Sequence, residues 1–271
     1  MFIFIAGNHF KQAINVGNKY LKKNKLPIIN FAIESTNKSK SVYQEYKNLI
    51  KNLPNEKFSI ALKLSSINFD TNLAKDLSDI CRENKNKLII DAENNYLNQK
   101  YQDISSDLIF NYNNDKDKLI YKTYQMYRRD SLEVLNNDLQ LCKNYNKNFC
   151  AKLVRGAYWN SEKNEGHLFI MKKETDKSYN QAILDIYNSN VNSNTILATH
   201  NEFSSQLGMM FNKNKQLFEF AHLQGMKESY YNKFTKQENI HVYIPYGPYY
   251  EMIPYLTRRL YENMDVLKNI Y

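Results

Sequence analysis

The densest group of chemically capable side chains runs from Tyr243 to Asn263, YIPYGPYYEMIPYLTRRLYEN. The stretch Tyr243 to Tyr246 reads as the end of a strand. Pro245, Gly247 and Pro248 punctuate a turn, and a helix follows. On that helix Tyr255, Arg258, Arg259 and Glu262 recur at i, i+3, i+4 and i+7, which places an aromatic, two guanidiniums and a carboxylate on adjoining faces. One reading is a solvated salt-bridged stripe on an outer helix. The other is forked recognition of a carboxylate by the adjacent arginines, with Tyr255 walling an apolar substrate body.

Four shorter segments carry charged or polar side chains within or at the end of apolar runs. In AKLVRGAYW, Lys152 and Arg155 flank Leu153 and Val154, and Gly156 and Ala157 leave room for close approach of a ligand. LIIDAE holds Asp91 after three aliphatic residues, ALKLS holds Lys63 between leucines, and ATHN ends on Thr199, His200 and Asn201. A buried charge is costly unless it is paired or used, so these positions are candidates for a site. GxGxxG and Walker loops are absent and the chain has only seven glycines, so a nucleotide cofactor would be held by strand ends and loops.

The elements that position these residues alternate. Short β-branched or aromatic runs span Pro27 to Glu34, Phe58 to Ser65, Lys87 to Glu93, Leu119 to Tyr127, Asn148 to Trp159, Thr195 to His200, Leu217 to Gln224 and His241 to Gly247. Helical stretches such as Val42 to Asn52, Asn72 to Asn84, Ser131 to Asn144 and Asp176 to Tyr187 lie between them. Strand-then-helix repetition predicts a parallel sheet covered by helices, and eight repeats predict closure. The expected fold is therefore an α/β (β/α)₈ TIM-type barrel, a normal solution at roughly 250 residues. An extra N-terminal helix over Phe10 to Lys23 precedes it, within a lead-in of about residues 1–26, and the helix bearing Arg258 and Arg259 follows it. With no linker and no break in composition, residues 1–271 read as one domain. The polar strand ends, Glu34, Lys63, Asp91, Glu93, Gln125, Lys152, Arg155, Thr199, His200, Gln224 and Tyr243, would then share one face of the barrel, where active sites form.

Composition excludes several alternatives. The formal charge of +9 comes from scattered lysines with acidic residues interleaved, and no nucleic-acid motif accompanies it. A weak electrostatic preference for anionic lipid heads stays open. Three cysteines without CxxC spacing point to reduced thiols and an intracellular setting, and five histidines without an HExxH pair give no support to a metal site. No apolar run approaches a membrane span, and no signal or transit peptide is evident at the N-terminus. The expected location is cytoplasmic or peripheral to a membrane.

Taken together, KLVRGAY, DAE, TYQMY (Thr123 to Tyr127), ATHN, FAHLQGM (Phe220 to Met226) and YIPYG…PYLTRRLYEN resemble the proline dehydrogenase family, nearer to its monofunctional and mitochondrial members. The likeness runs from Phe4 to Asn263, with one motif per barrel strand in the family's order. It implies a noncovalent FAD and oxidation of L-proline to Δ1-pyrroline-5-carboxylate, the first step of proline breakdown to glutamate. It further implies electrons passed to a quinone-type acceptor and a peripheral membrane contact.

Position by position, the resemblance makes Lys63, Arg258 and Arg259 the holders of the proline carboxylate, with Asp91 supporting that cationic cluster. Lys152 falls beside the reactive edge of the isoalloxazine, where it would stabilise charge on the reduced flavin. Ala92, Gln125, Val154, Arg155, Gly156, Ala157, Thr199 and His200 match flavin-contacting positions. Tyr158, Leu223, Tyr243 and Tyr255 match residues packed around the ring, and Glu262 a carboxylate that orients the arginines or the cofactor ribose. Two departures stand out. His222 occupies a position that is usually Gln, and Ala32-Ile33 replaces the usual Leu-Gly before Glu34. Oxidation of a related cyclic imino acid such as hydroxyproline is the alternative, though the Tyr243 phenol would crowd an added hydroxyl. A folate-reducing flavin barrel and a basic binding protein are further rivals; the arginine pair favours a small carboxylate over a folate.

Overall fold

The computed structural model describes residues 4–33, 38–114, 117–234, 238–253 and 257. Glu34, Tyr255, Arg258, Arg259 and Glu262 lie outside the described residues. The elements follow in the order α1 (Phe10–Leu21), β1 (Leu26–Phe31), α2 (Ser39–Lys51), β2 (Ser59–Lys63), α3 (Thr71–Glu83), β3 (Lys87–Asp91), α4 (Asn98–Tyr112), β4 (Ile120–Gln125), α5 (Ser131–Asn144) and β5 (Phe149–Val154). The short α6 (Trp159–Glu162) comes next, then α7 (Lys172–Asn188), β6 (Ser193–Ala198), α8 (Glu202–Asn212), β7 (Phe218–Leu223), the short α9 (Glu228–Tyr231) and β8 (Ile240–Tyr246). Residues 249–253 are helical. The eight strands close into one barrel in sequence order, every neighbouring pair parallel.

Each of the eight expected strands is present, and the expected runs overshoot at the mouth. The run to Trp159, for example, takes in five residues that leave the barrel, and Trp159 itself opens α6. The β propensity of those loop residues is real, but the sheet ends where the register runs out of partners. Local signals start the helices. The Asp70 carboxylate caps α3 by accepting from the Asn72 and Leu73 amides at 2.9 and 3.1 Å. His9 and Gln12 form a reciprocal cap on α1.

Alternation along each strand separates two cores. Ile29, Ile60, Leu62, Leu88, Ile90, Leu153, Leu197 and Phe220 face outward beneath the helices. Ile28, Ala61, Ile89, Tyr121, Cys150, Ile196 and Ala221 fill the interior. Asn30, paired with Ala61 on one side and Pro245 on the other, has a row that reaches β7 at Leu217 one way round and at Gly225 the other. That stagger of eight residues makes residues of equal height shift by about one position per strand. The interior therefore stacks in layers of four from alternate strands. From the mouth downward these are Lys63, Gln125 and Pro245, with β6 already ended at this height; then Asn30, Asp91, Val154 and Leu223; then Ala61, Thr123, Ala198 and Tyr243; then Ile28, Ile89, Lys152 and Ala221.

The β7–β8 connection has only the single-turn α9, so it cannot cover the outside of the last strands. Helix α1 packs over β1 and β8 instead, as the expected N-terminal helix. The Tyr20 hydroxyl donates to Glu228 at 2.6 Å, and the Ala6 amide to the Pro245 carbonyl at 2.9 Å.

His222 points outward from β7, away from the barrel interior. Its ring stacks on Tyr231 at 4.8 Å, and Nδ1 donates to the Leu223 carbonyl at 3.0 Å. Burial is the main reason its pKa falls from 6.5 to about 4. A histidine depressed in this way contributes stability that is complete above pH about 6.5 and is lost as pH falls towards about 4, by roughly 3 kcal/mol. His222→Gln should flatten that part of the acid-denaturation profile, measured by urea midpoints between the two pH limits. An unchanged profile would remove His222 as its source.

Candidate active site

The mouth is organised around a carboxylate. Asp91 ends β3, facing inward, and both its oxygens are occupied: one by the Lys152 ammonium from β5, the other by the Tyr243 hydroxyl from β8 at 2.5 Å. Lys152 Nζ also lies 5.1 Å above the Tyr243 ring. Lys152 rises from two layers below Asp91, and Tyr243 stands in the layer between. Asp91 and Lys152 are both buried. An ion pair at this depth holds because the carboxylate is also hydrogen-bonded by Tyr243, whose ring faces the ammonium.

Above Asp91, Lys63 ends β2 and is paired in register with it. Its Nζ donates to the Tyr158 hydroxyl at 2.9 Å and lies 5.5 Å from that ring. Tyr158 arrives on the long β5–α7 connection, which buried Glu162 pins in place. The Glu162 carboxylate accepts from the Asn95 amide at 2.7 Å, from the Tyr127 hydroxyl at 2.9 Å and from His167 Nε2 at 3.5 Å. Three mouth loops are thereby tied together, and α6 fixes Tyr158 through the Ser161 and Glu162 amides. Gly156, at φ +138°, sits against the Tyr127 ring where any Cβ would collide. The small residue is thus required by internal packing, which the sequence alone assigned to a ligand's approach.

The remaining expected residues form a second group. Gln125 bridges two loops, donating to the Glu93 carbonyl at 2.9 Å and accepting from the Ala157 amide at 3.1 Å. Arg155 is held by Asp176 at 2.7 Å, by the Thr199 hydroxyl and by Ser204 at 3.1 Å, with its guanidinium 4.5 Å from the Tyr179 ring. Thr199 further accepts from the Asn201 amide at 3.0 Å. Ala92 follows Asp91 beside the core under β3, while Val154 and Leu223 share Asp91's layer. His200 follows Thr199 at the rim.

The structure thus brings Lys63, Asp91, Lys152, Tyr158, Leu223 and Tyr243 around the mouth, while Arg155 and Thr199 pair beside it. The expected contributions of Tyr255, Arg258, Arg259 and Glu262 fall outside the described residues. Sequence reasoning passed over Glu162, Asp176 and Ser204, whose importance lies in partners distant along the chain. It also passed over Asn30, although Asn30 breaks the apolar run LPIINF as Lys63 breaks ALKLS.

Polar groups also gather at the opposite end, which the sequence reading did not foresee. Glu219 accepts from Lys87 at 3.0 Å, His241 at 2.8 Å, Asn239 at 3.1 Å and Asn194 at 3.2 Å. Burial pushes the Glu219 carboxyl up, but the Lys87 cation, the His241 ring and the hydrogen bonds from both more than reverse this and hold it well below the usual range. Among the described residues no group of His, Cys, Asp and Glu has the arrangement of a metal site.

An eight-stranded parallel barrel with an ion-paired cluster at the C-terminal strand ends is the architecture of (β/α)₈ enzymes. The family model described as proline dehydrogenase matches residues 15–270, and the chain belongs to that family. It is 29% identical over 251 residues to "Proline dehydrogenase 1, mitochondrial" of Dictyostelium discoideum, covering 85% of this chain and 44% of that one. It is 31% identical over 208 residues to the hydroxyproline dehydrogenase of Xenopus laevis, covering 69% of this chain and 44% of the relative. The chain spans less than half the length of these relatives. Its fold matches proline utilization A from Bdellovibrio bacteriovorus inactivated by N-propargylglycine, with a TM-score of 0.86 at 20% identity, over 96% of this chain and 32% of that one.

Removing Asp91 leaves the Lys152 cation buried without its counter-charge. Asp91→Ala should therefore cost about 3–5 kcal/mol, and Asp91→Leu combined with Lys152→Met should recover much of it. Urea denaturation of the three proteins reads this directly. A single variant within about 1 kcal/mol of the parent would mean the pair is solvated.

Proposed function

We propose that residues 1–271 form one barrel domain that oxidises L-proline to Δ1-pyrroline-5-carboxylate with FAD as the hydride acceptor. The observation that carries this reading is the Lys63–Tyr158 and Lys152–Asp91–Tyr243 constellation at the barrel mouth. Family membership supports it.

The mouth fits a flavin by the chemistry of its donors. Lys152 supplies a fixed cation, and the buried Thr123 hydroxyl has no partner, one layer below Asp91. Strand-end and loop residues Gln125, Ala157, Arg155, Thr199 and His200 would hold the cofactor without a Rossmann glycine turn. When bound, FAD supplies the acceptor for a hydride from the carbon beside the ring nitrogen.

The chain's own residues supply binding, orientation and field. Lys63, with Arg258 and Arg259, clamps the substrate carboxylate; Tyr158 fixes the Lys63 ammonium and so the direction from which the carboxylate is gripped. Leu223, Tyr243 and Tyr255 wall the ring and exclude water, which strengthens the ion pairs around them. Holding the substrate in one pose removes much of the entropic barrier. Asp91 keeps Lys152 in place, so its charge needs no reorganisation as negative charge develops above it. Glu262 orients the arginine pair or the cofactor ribose.

Electrons would leave to a quinone-type acceptor, with the chain in peripheral contact with a membrane. No described helix is long and apolar enough to cross one. The second reading, a hydroxylated cyclic imino acid, is favoured by the likeness to a hydroxyproline dehydrogenase. The Tyr243 phenol, tied to Asp91 at 2.5 Å, opposes it, because it would crowd an added hydroxyl.

The purified protein should show a flavin spectrum that bleaches when L-proline is added without oxygen. A protein that stays colourless after incubation with FAD refutes the proposal. Arg258→Lys and Arg259→Lys should each lower kcat/KM for L-proline by roughly thirty- to several-thousand-fold, since losing one side of a buried charge pair costs about 2–5 kcal/mol. An ammonium does not reproduce the planar fork. Values near the parent's in both variants, with flavin content matched, would take the clamp out of the mechanism.

A further inference from the structure

A carboxylate buried in a loop is costly unless something holds it. Glu162, 3% exposed in the single-turn α6, is held by partners outside its own turn. One oxygen accepts the Asn95 amide at 2.7 Å; the other accepts the Tyr127 hydroxyl at 2.9 Å and lies 3.5 Å from His167 Nε2. The anchors are themselves fixed. The Asn95 side chain accepts from Arg128 at 2.9 Å and donates to Glu165 at 2.8 Å, and the Arg128 guanidinium forks onto Asp130 at 3.0 and 2.9 Å. The Tyr127 carbonyl accepts from the Phe169 amide at 2.8 Å.

Tyr158 is tied to that carboxylate. Its carbonyl accepts from the Ser161 and Glu162 amides at 3.0 and 3.1 Å, which makes residues 158–162 one tight turn. On the other side of Tyr158, Gly156 lies against the same Tyr127 ring whose hydroxyl Glu162 accepts. Tyr158 is thus bracketed by two contacts to one fixed residue. Its hydroxyl accepts the Lys63 ammonium at 2.9 Å. A lysine ammonium rides on a flexible four-carbon stem and has no planar fork, so its partners set the direction it faces. For Lys63 one such partner lies 95 residues along the chain, on the turn that Glu162 anchors.

We propose that Glu162 is a positioning residue for substrate binding: by holding Tyr158 it aims the Lys63 ammonium at the substrate carboxylate, without touching substrate or cofactor. The inference rests on the reading given above, in which Lys63 grips that carboxylate. Its consequence is that Glu162 contributes to affinity through Lys63. A carboxylate that only kept the loop folded would matter equally with Lys63 removed, and its loss would also release a flavin held by Arg155 and Ala157 on the same loop.

Additivity separates the two cases. Tetrahydro-2-furoate, a ring with the carboxylate but no oxidisable amine, is titrated by calorimetry into the flavin-loaded parent, Glu162→Ala, Lys63→Met and the double variant. Flavin content is read from the visible spectrum. The expected result is an approximately tenfold weaker complex for Glu162→Ala, about 1.4 kcal/mol, with less than about twofold further weakening when the same change is made in Lys63→Met. Flavin content is expected to match the parent's. Glu162→Gln keeps an acceptor for the Asn95 amide and covers the case in which the alanine variant does not fold. It is expected to weaken binding about threefold in the parent and not at all in Lys63→Met. Weakening by the same factor in both backgrounds, unchanged affinity in both Glu162 variants, or loss of flavin from both overturns the assignment of Glu162 and leaves the proline reading standing. A Lys63→Met protein that binds as tightly as the parent overturns the carboxylate grip itself, and this inference with it.

Discussion

Closure of the barrel is the constraint on which everything else depends. Because β1 pairs with β8 as well as β2, every strand has two neighbours and no edge is left for another chain. Closure with an eight-residue stagger fixes which side chains enter the interior and at what height. Charged groups can then be placed a few ångströms apart from strands far apart in sequence. Asp91 and Lys152 lie 61 residues apart, and Asp91 and Tyr243 lie 152 apart. Only a register held by the whole sheet can bring them together reproducibly.

Within that frame the interior is divided by height. Apolar side chains lie between the Asp91 cluster at the mouth and the Glu219 cluster at the other end: Ile28, Ile89 and Ala221 in the layer from which Lys152 rises, and Ile196 below them. The low-dielectric layer between them keeps the two sets of charges electrostatically distinct. The Glu219 end is closed by donors from four strands and loops, leaving the Asp91 end as the one where loops rather than packed side chains set the boundary. Those loops are themselves restrained, since Glu162 joins the β3, β4 and β5 connections through Asn95, Tyr127 and its own short helix.

Much of this was legible in the sequence. Alternation of β-branched runs with amphipathic stretches marked all eight strands, and charges inside apolar runs marked Lys63, Asp91 and Lys152. What was illegible depends on long-range geometry. Nothing local in TYQMY or in the Trp159 to Glu162 segment says that Tyr127 and Glu162 will meet. Glu219 and His241 look like ordinary polar residues near strand starts until the barrel closes around them. Gly156 was legible as a required small residue, but the reason, the Tyr127 ring behind it, appears only in three dimensions. Asn30 obeyed the same rule as Lys63 and was overlooked because a neutral amide in a strand is a weaker signal than a charge.

Helix α1 has a further consequence, for the order in which the molecule can assemble. It is made before every strand of the barrel, yet it packs on the seam between the first strand and the last, and its Tyr20 bonds a residue 208 positions later. Until β8 has been made and docked, the apolar face of α1 has only half its resting place. Contacts of such sequence separation are slow to form, and the surfaces they will cover stay open to water meanwhile. The helix made ahead of the barrel is therefore among the last pieces to settle, and a nascent chain stalled before β8 would display that face to chaperones.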